Sequence, residues 1–186
     1  MTLLFFLTVA FGSVILADGI FEISDFNENS DVKSYQKKNL TENTLVKRGT
    51  LSVLVPMGWS VTGVLNDGKY AEKIEMTPSS DLQNDKTVVG IQKRQIASNI
   101  TLEQRYEKYK NDKTITTFKY IKNGNTRWLL RERTQFDDTL KIDMQRWDMY
   151  SIVNGKEYIT VAGTPLSLLS KNRTLIEKIL TSIKAH

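Results

Sequence analysis

Two Asn-Gly dipeptides, Asn123-Gly124 and Asn154-Gly155, constrain the fold of this chain more than any other feature. Both central residues of a type I′ hairpin turn need positive φ, which Asn and Gly tolerate and most residues do not. Together with Asp137-Asp138 they punctuate an almost continuous β pattern from Thr114 to Gly163. That stretch reads as a four-stranded meander over about 115–122, 125–136, 140–152 and 156–163. Upstream, Leu51–Val55, Ala71–Thr77 and Thr87–Ile96 carry strand patterns as well, giving six or seven strands.

Two helices accompany them. Thr101 and Gln104 have capping-box spacing, and Leu102, Tyr106 and Tyr109 then share one stripe. A second helix is expected after Thr164-Pro165, a capping residue followed by a proline suited to a first turn. Its Leu168, Leu169, Leu175, Ile176, Ile179, Leu180 and Ile183 form an arc broad enough to cover a sheet. The expected class is α+β with an antiparallel sheet.

The body of the domain is assigned to residues 45–186 and two segments precede it. Residues 2–17, TLLFFLTVAFGSVILA, hold no charge over 16 positions, shorter than the roughly 20 a spanning helix needs. Residues 1–17 therefore read as a signal peptide or N-terminal membrane anchor, and the protein as exported. Residues 18–44 are poor in aliphatic side chains toward their polar end and read as a linker. Export would make the sequons at Asn39, Asn99 and Asn172 glycosylation candidates.

Composition excludes several chemistries. The 186 residues contain no cysteine, so thiol catalysis and disulfides have no side chains to use, and the one histidine, His186, stands at an end expected to fray, where an imidazole-based triad would lack the rigid hold it needs. No glycine-rich phosphate loop is present. Lys and Arg number 26 against 21 Asp and Glu, a surplus of +5 that suits anionic surroundings without specifying them. Basic and aromatic strands also suit single-stranded nucleic acid, but an exported protein rarely meets it, and no nucleic-acid partner is assigned.

Charge argues for a register. A two-residue loop at Asp137-Asp138 would set Glu132 against Asp143, whereas a three-residue loop sets Arg133 against Asp143 and Phe136 against Leu140, the expected pairing. One face then carries Trp128, Leu130, Phe136, Ile142, Met144 and Tyr150 as core. The other carries Tyr120, Arg127, Arg131, Arg133, Asp143, Trp147 and Tyr158, a mixture of cations and rings that is the candidate binding surface. The competing expectation is that the 101–112 helix half covers this layer, with arginine stems over rings. Trp59 beside Gly58 reads as a corner plug. Carboxylates at Asp137 and Asp138, or Glu132 with Asp143, form the weaker idea of a hydrolase pair.

The string Leu51-Ser-Val-Leu-Val-Pro-Met-Gly-Trp59, then Trp147, Asn154-Gly-Lys-Glu-Tyr158-Ile-Thr-Val161 and a terminal helix closing on Ser182-Ile183, resembles the PsbP/Mog1-like superfamily. The resemblance implies an α/β/α sandwich on a central antiparallel sheet, which matches the element order read above, and non-enzymatic work. Members of that superfamily include lumenal photosystem II proteins, a Ran-binding nuclear import factor and exported prokaryotic proteins of unknown role. No metal-binding set maps onto this chain, and no cofactor is assigned. The expected function is an exported, non-catalytic binding or assembly module at the outer face of a membrane, touching a protein partner such as a membrane complex. The alternative is a small-molecule or lipid carrier with a pocket between sheet and helices.

Overall fold

The computed structural model describes residues 19–22, 35–64, 70–79 and 85–186. The signal or anchor assigned to residues 1–17 lies outside them. In chain order the elements are β1 (Gly19–Glu22), β2 (Tyr35–Asn39), β3 (Thr44–Arg48), β4 (Leu51–Val55), β5 (Trp59–Val64), β6 (Tyr70–Pro78) and β7 (Val88–Ala97). Helix α1 (Leu102–Tyr109) follows, then β8 (Ile115–Asn123), β9 (Thr126–Asp137), β10 (Ile142–Val153), β11 (Lys156–Pro165), a 3-10 turn at Leu166–Leu168, α2 (Leu169–Ser182) and β12 (Lys184–Ala185).

An eight-stranded antiparallel sheet in the order β2-β5-β6-β7-β11-β10-β9-β8 forms the centre of the α+β fold. A smaller sheet, β1-β3-β4-β12, and α2 lie on one face, and α1 lies on the other. The main sheet exceeds the expected six or seven strands, and two strands fall within the segment read as a linker. Tyr35–Asn39 adds to β5 through backbone pairing, which asks for no aliphatic side chain. Gly19–Glu22 pairs with β3 in parallel.

Strand alternation divides the two faces. On the α2 face Trp128, Trp147, Met149 and Tyr158 are fully buried with Ile176 and Ile179 of the helix and Val53 of the small sheet. Trp59 joins this core, entered through Gly58 at φ 81°. The arc of apolar residues expected on α2 faces it, but the helix starts later than the sequence suggested. Thr164 and Pro165 finish β11, and Leu168 stands at the N-cap with no side-chain bond. The Thr164 hydroxyl is already engaged, 2.6 Å from that of Thr87 and 3.2 Å from Asn172 Nδ2.

The two Asn-Gly turns differ. Asn154 and Gly155 both have positive φ, as a type I′ turn requires. At the other hairpin Asn123 pairs with Thr126, so the loop is Gly124-Asn125 and only Gly124 has positive φ, the pattern of a type II′ turn. Asn123 is buried, and its amide donates to the Leu180 carbonyl at 2.8 Å, clamping the end of α2 to the sheet. The turn signal was real, but one of its residues serves the helix.

His186 is not frayed. Lys184 and Ala185 pair with Ser52 and Leu51, and the His186 amide donates to the Thr50 carbonyl at 2.9 Å. Nearby, Glu72 accepts from the Thr50 amide at 2.8 Å, and Lys93 reaches both Glu72 at 2.6 Å and the Thr50 hydroxyl at 3.1 Å. The Tyr158 hydroxyl closes the knot, 2.8 Å from that of Thr50. This polar cluster ties the small sheet to the main one. Gly49, at φ 51°, is required there because a Cβ would lie 2.6 Å from the Glu72 carboxyl carbon.

Candidate functional site

The candidate surface lies beneath and beside α1. Thr101 and Gln104 form the expected capping box, bonding each other's backbone at 3.1 and 2.8 Å. The cap fixes the helix over the sheet with Leu102 against Leu129, Tyr150 and Ile159. Tyr106 stacks on Phe118 with ring centroids 4.8 Å apart, and Tyr109 on Tyr150 at 6.4 Å. Guanidiniums fill the spaces between rings: Arg127 over Tyr120 at 3.7 Å, Arg131 over Tyr109 at 4.3 Å and Arg105 over Tyr150 at 4.5 Å. For this part of the face, arginine stems packed under a helix is the correct description.

Two buried carboxylates organise the cations. Glu157 is paired with Arg105 and, at 3.0 Å, with Arg94. Asp148 accepts from Arg131 at 2.6 and 3.1 Å and from Arg146 at 3.2 Å, while Arg133 Nε stands 3.6 Å away. Burial weakens the hold of Arg131 on its charge, but Tyr150 and Asp148 outweigh it and raise its pKa above the ordinary value. Burial, reinforced by Asp148, also raises the pKa of the Tyr150 hydroxyl. Asp112, hydrogen-bonded by Thr114 and near Arg131 and Arg133, is held below the usual carboxylate range.

Four of the seven expected binding residues, Tyr120, Arg127, Arg131 and Arg133, are gathered on the α1 face. The others are not. Trp147 and Tyr158 are each 1% exposed in the core on the opposite face, and Asp143 is exposed near the tip of the β9–β10 hairpin. The cause is register. Phe136, not Arg133, stands opposite Asp143, and Arg133 stands opposite Arg146. The loop is Asp138–Lys141, with the Asp137 carboxylate accepting from the Thr139 and Leu140 amides and Lys141 at φ 56°. Relative to the expected pairing the shift is three residues, an odd number, so β10 turns over with respect to β9. Tyr150 moves from the expected core face to the α1 face, and Trp147 goes the other way.

The same register removes the hydrolase pair. Glu132 lies opposite Trp147 and is bonded by Arg173 and, at 3.1 Å, by Gln145, while Asp137 serves as a turn former. Among the described residues no group of three or more His, Asp or Glu side chains could hold a metal ion. Asn39 and Asn99 are exposed, but Asn172 is buried with its amide on the Thr87 hydroxyl at 2.8 Å, so it offers no acceptor for a glycan.

Arg146 and Asp148, together with Arg94, Arg105 and Glu157, complete the charged layer and were missed from the sequence. The i, i+2 spacing of Arg146 and Asp148 within β10 is visible there, but Arg94, Arg105 and Glu157 come from β7, α1 and β11, and which residues share a face depends on the register.

No family model matches the sequence, and no curated protein does. Among solved structures, cyanobacterial PsbP from Synechocystis superposes with a TM-score of 0.52 at 13% identity over 85% of this chain and 96% of that one. The two share a fold. A Bacteroides thetaiotaomicron protein gives a TM-score of 0.49 at 11% identity over 74% of this chain, which spans 45% of that protein's length. A Pseudomonas aeruginosa protein of unknown function, named as a possible regulator, gives 0.43 at 9% identity over 76% of this chain and 95% of that one.

Proposed function

We propose that the protein is an exported, non-catalytic binding module that docks on a protein partner at the outer face of a membrane through one end of its main sheet. One observation carries this reading. The large apolar side chains most exposed among the described residues, Met57, Val88, Phe136, Leu140 and Leu166, all belong to that end, where β5, β7 and β10 begin and β6, β9 and β11 finish. Phe136, Leu140, Leu166 and Val88 sit on or beside four neighbouring strands, and Met57 lies farther along the same end. Scattered single apolar residues need no explanation, but several gathered at one end mark a contact surface.

The fold shared with a PsbP protein agrees with a contact role, as does the apolar stretch at residues 2–17 with export. The carrier alternative is less well supported. Between sheet and α2, where such a ligand would sit, Trp128, Trp147 and Tyr158 are packed to 0–1% exposure.

The test is capture from solubilised membranes by the purified full chain, wild type against Phe136→Ser with Leu140→Ser. The reading expects one or more proteins retained by wild type and lost with the double variant. Equal retention by both would reject this end as the docking surface.

A further inference from the structure

From the ladder of the main sheet we infer that the furrow across β7, β11, β10 and β9 on the α1 face takes an extended acidic segment of a partner protein, its carboxylates on Arg133 and Arg146. The inference rests on the docking role proposed above and names the chemistry of the partner.

The furrow is a straight row of paired residues. Val88 faces Gly163, Gly163 faces Arg146, and Arg146 faces Arg133. Like charges directly opposite on adjacent strands are unfavourable unless something anionic lies between them. Inside the protein that something is Asp148, but one carboxylate serves three guanidiniums. Arg131 occupies one of its oxygens with two bonds and Arg146 takes the other. Arg133 keeps only a long contact to Asp148, 3.6 Å from its Nε, and its side chain is 21% exposed. A guanidinium held that loosely can take an external carboxylate on the part of its side chain that is exposed. The nearby acids are engaged through one oxygen each, Asp112 with Thr114 and Asp137 with the turn amides.

Gly163 supplies a second observation. Its φ is not in the left-handed region, and a Cβ there would meet nothing nearer than the flexible Met144 methyl at 3.4 Å. Neither backbone strain nor packing demands glycine. Gly90, one strand over on the same face, has similar room, 3.8 Å from the Val161 carbonyl. A glycine inside a strand often marks a bulge, a tight bend or close approach by another chain or ligand, and the ladder has no register shift at either position. The two positions leave a shallow furrow of about 100 Å³, lined on one side by Val88, Met144 and Val161 and on the other by Arg146, Gln135 and Asp137. It opens at the apolar end of the sheet, so a segment lying in it would continue over Val88 and Leu166.

The experiment uses an acetylated, fluorescein-labelled peptide alternating Glu and Leu over eight residues, with its alternating Gln and Leu counterpart as control. Wild type should bind the acidic peptide saturably, with affinity falling as salt rises, and the Gln peptide at least tenfold more weakly. Arg133→Gln with Arg146→Gln should weaken acidic-peptide binding at least tenfold. Gly163→Leu, which keeps every charge, should do the same by filling the furrow, and circular dichroism must show both variants folded. Undiminished binding by either folded variant overturns the inference, as does full competition by inorganic phosphate at equal charge concentration. Binding to phosphatidylglycerol vesicles that depends on the two arginines, with none to the peptide, also overturns it. Should membrane capture still require Phe136 and Leu140 while the peptide ignores the arginines, the inference fails and the docking role stands. Peptide binding alongside capture that ignores Phe136 and Leu140 gives the converse.

Discussion

Arg133 and Arg146 face each other across the β9–β10 ladder, and both turn toward the single buried carboxylate of Asp148. Asp148 is 1% exposed, so its charge is tolerated only because guanidiniums surround it, and they in turn depend on it. Asp148→Asn should therefore destabilise the fold by about 3–5 kcal/mol, the usual effect of removing one side of a buried ion pair. Arg133→Gln should change stability by under about 1 kcal/mol, because it relieves the cross-strand repulsion as it gives up a long contact. Urea denaturation of both variants checks the asymmetry. Equal losses would mean that the three arginines are not sharing one carboxylate.

Arg131 should not behave like Arg133, although only two positions separate them. It is 6% exposed, doubly bonded to Asp148 and packed on Tyr109. Arg131→Glu would bury an acid beside Asp148, and the expected outcome is an insoluble or unfolded protein. Recovery of a soluble variant with an unchanged melting curve would contradict the packing described for the α1 layer.

Trp59→Ala removes a core side chain that is 3% exposed and should cost about 3–5 kcal/mol, read as a lower urea midpoint at unchanged slope. An undiminished midpoint would remove Trp59 from the core.

Tyr150 provides a pH signature. Its folded pKa is raised, first by burial and then by Asp148, so folded protein keeps the phenolic proton where unfolded chain would release it. The stabilisation is complete below the unfolded tyrosine pKa of about 10 and is lost as pH rises through the folded value. Ultraviolet titration should show Tyr150 and Tyr120 ionising later than ordinary tyrosines, and Tyr150→Phe should delete one late step and flatten the alkaline loss of stability.

Expression in a glycosylating secretory host should yield glycans at Asn39 and Asn99 at most. Asn172→Gln should leave the glycan count unchanged but lower stability by about 1–3 kcal/mol, because it disturbs a buried amide bonded to Thr87 and Thr164. Peptide mass mapping and a melting curve separate the two effects.

Much of this architecture is legible in local signals. The Asn154-Gly155 turn, the Thr101 capping box, the apolar arc of α2 and the Gly58-Trp59 corner each depend on a few neighbouring residues, and each forms as local chemistry dictates. What misleads is pairing over distance. Opposing Arg133 to Asp143 is good electrostatics taken as a pair, but the Asp137 carboxylate gains two turn amides only in the longer loop, and Lys141 accepts positive φ to complete it. That choice reassigns Trp147 and Tyr158 to the interior and gathers Arg146 with Arg133. Likewise Thr164 resembles a helix cap, but its hydroxyl is taken by Thr87, nearly eighty positions earlier. The strand at Tyr35–Asn39 is invisible to hydrophobic pattern because its support is backbone pairing to β5.

The pairing of β12 with β4 sets an order of events. Ser52 finds its strand partner in Lys184, and Thr50 receives the amide of His186, so the small sheet cannot be finished until nearly the whole chain is available. During vectorial synthesis the edge of β4 therefore stays open while the meander assembles, and closure arrives as a late, long-range step. A ribosome stalled before that tail emerges should hold a meander already built next to a small sheet that has not yet sealed.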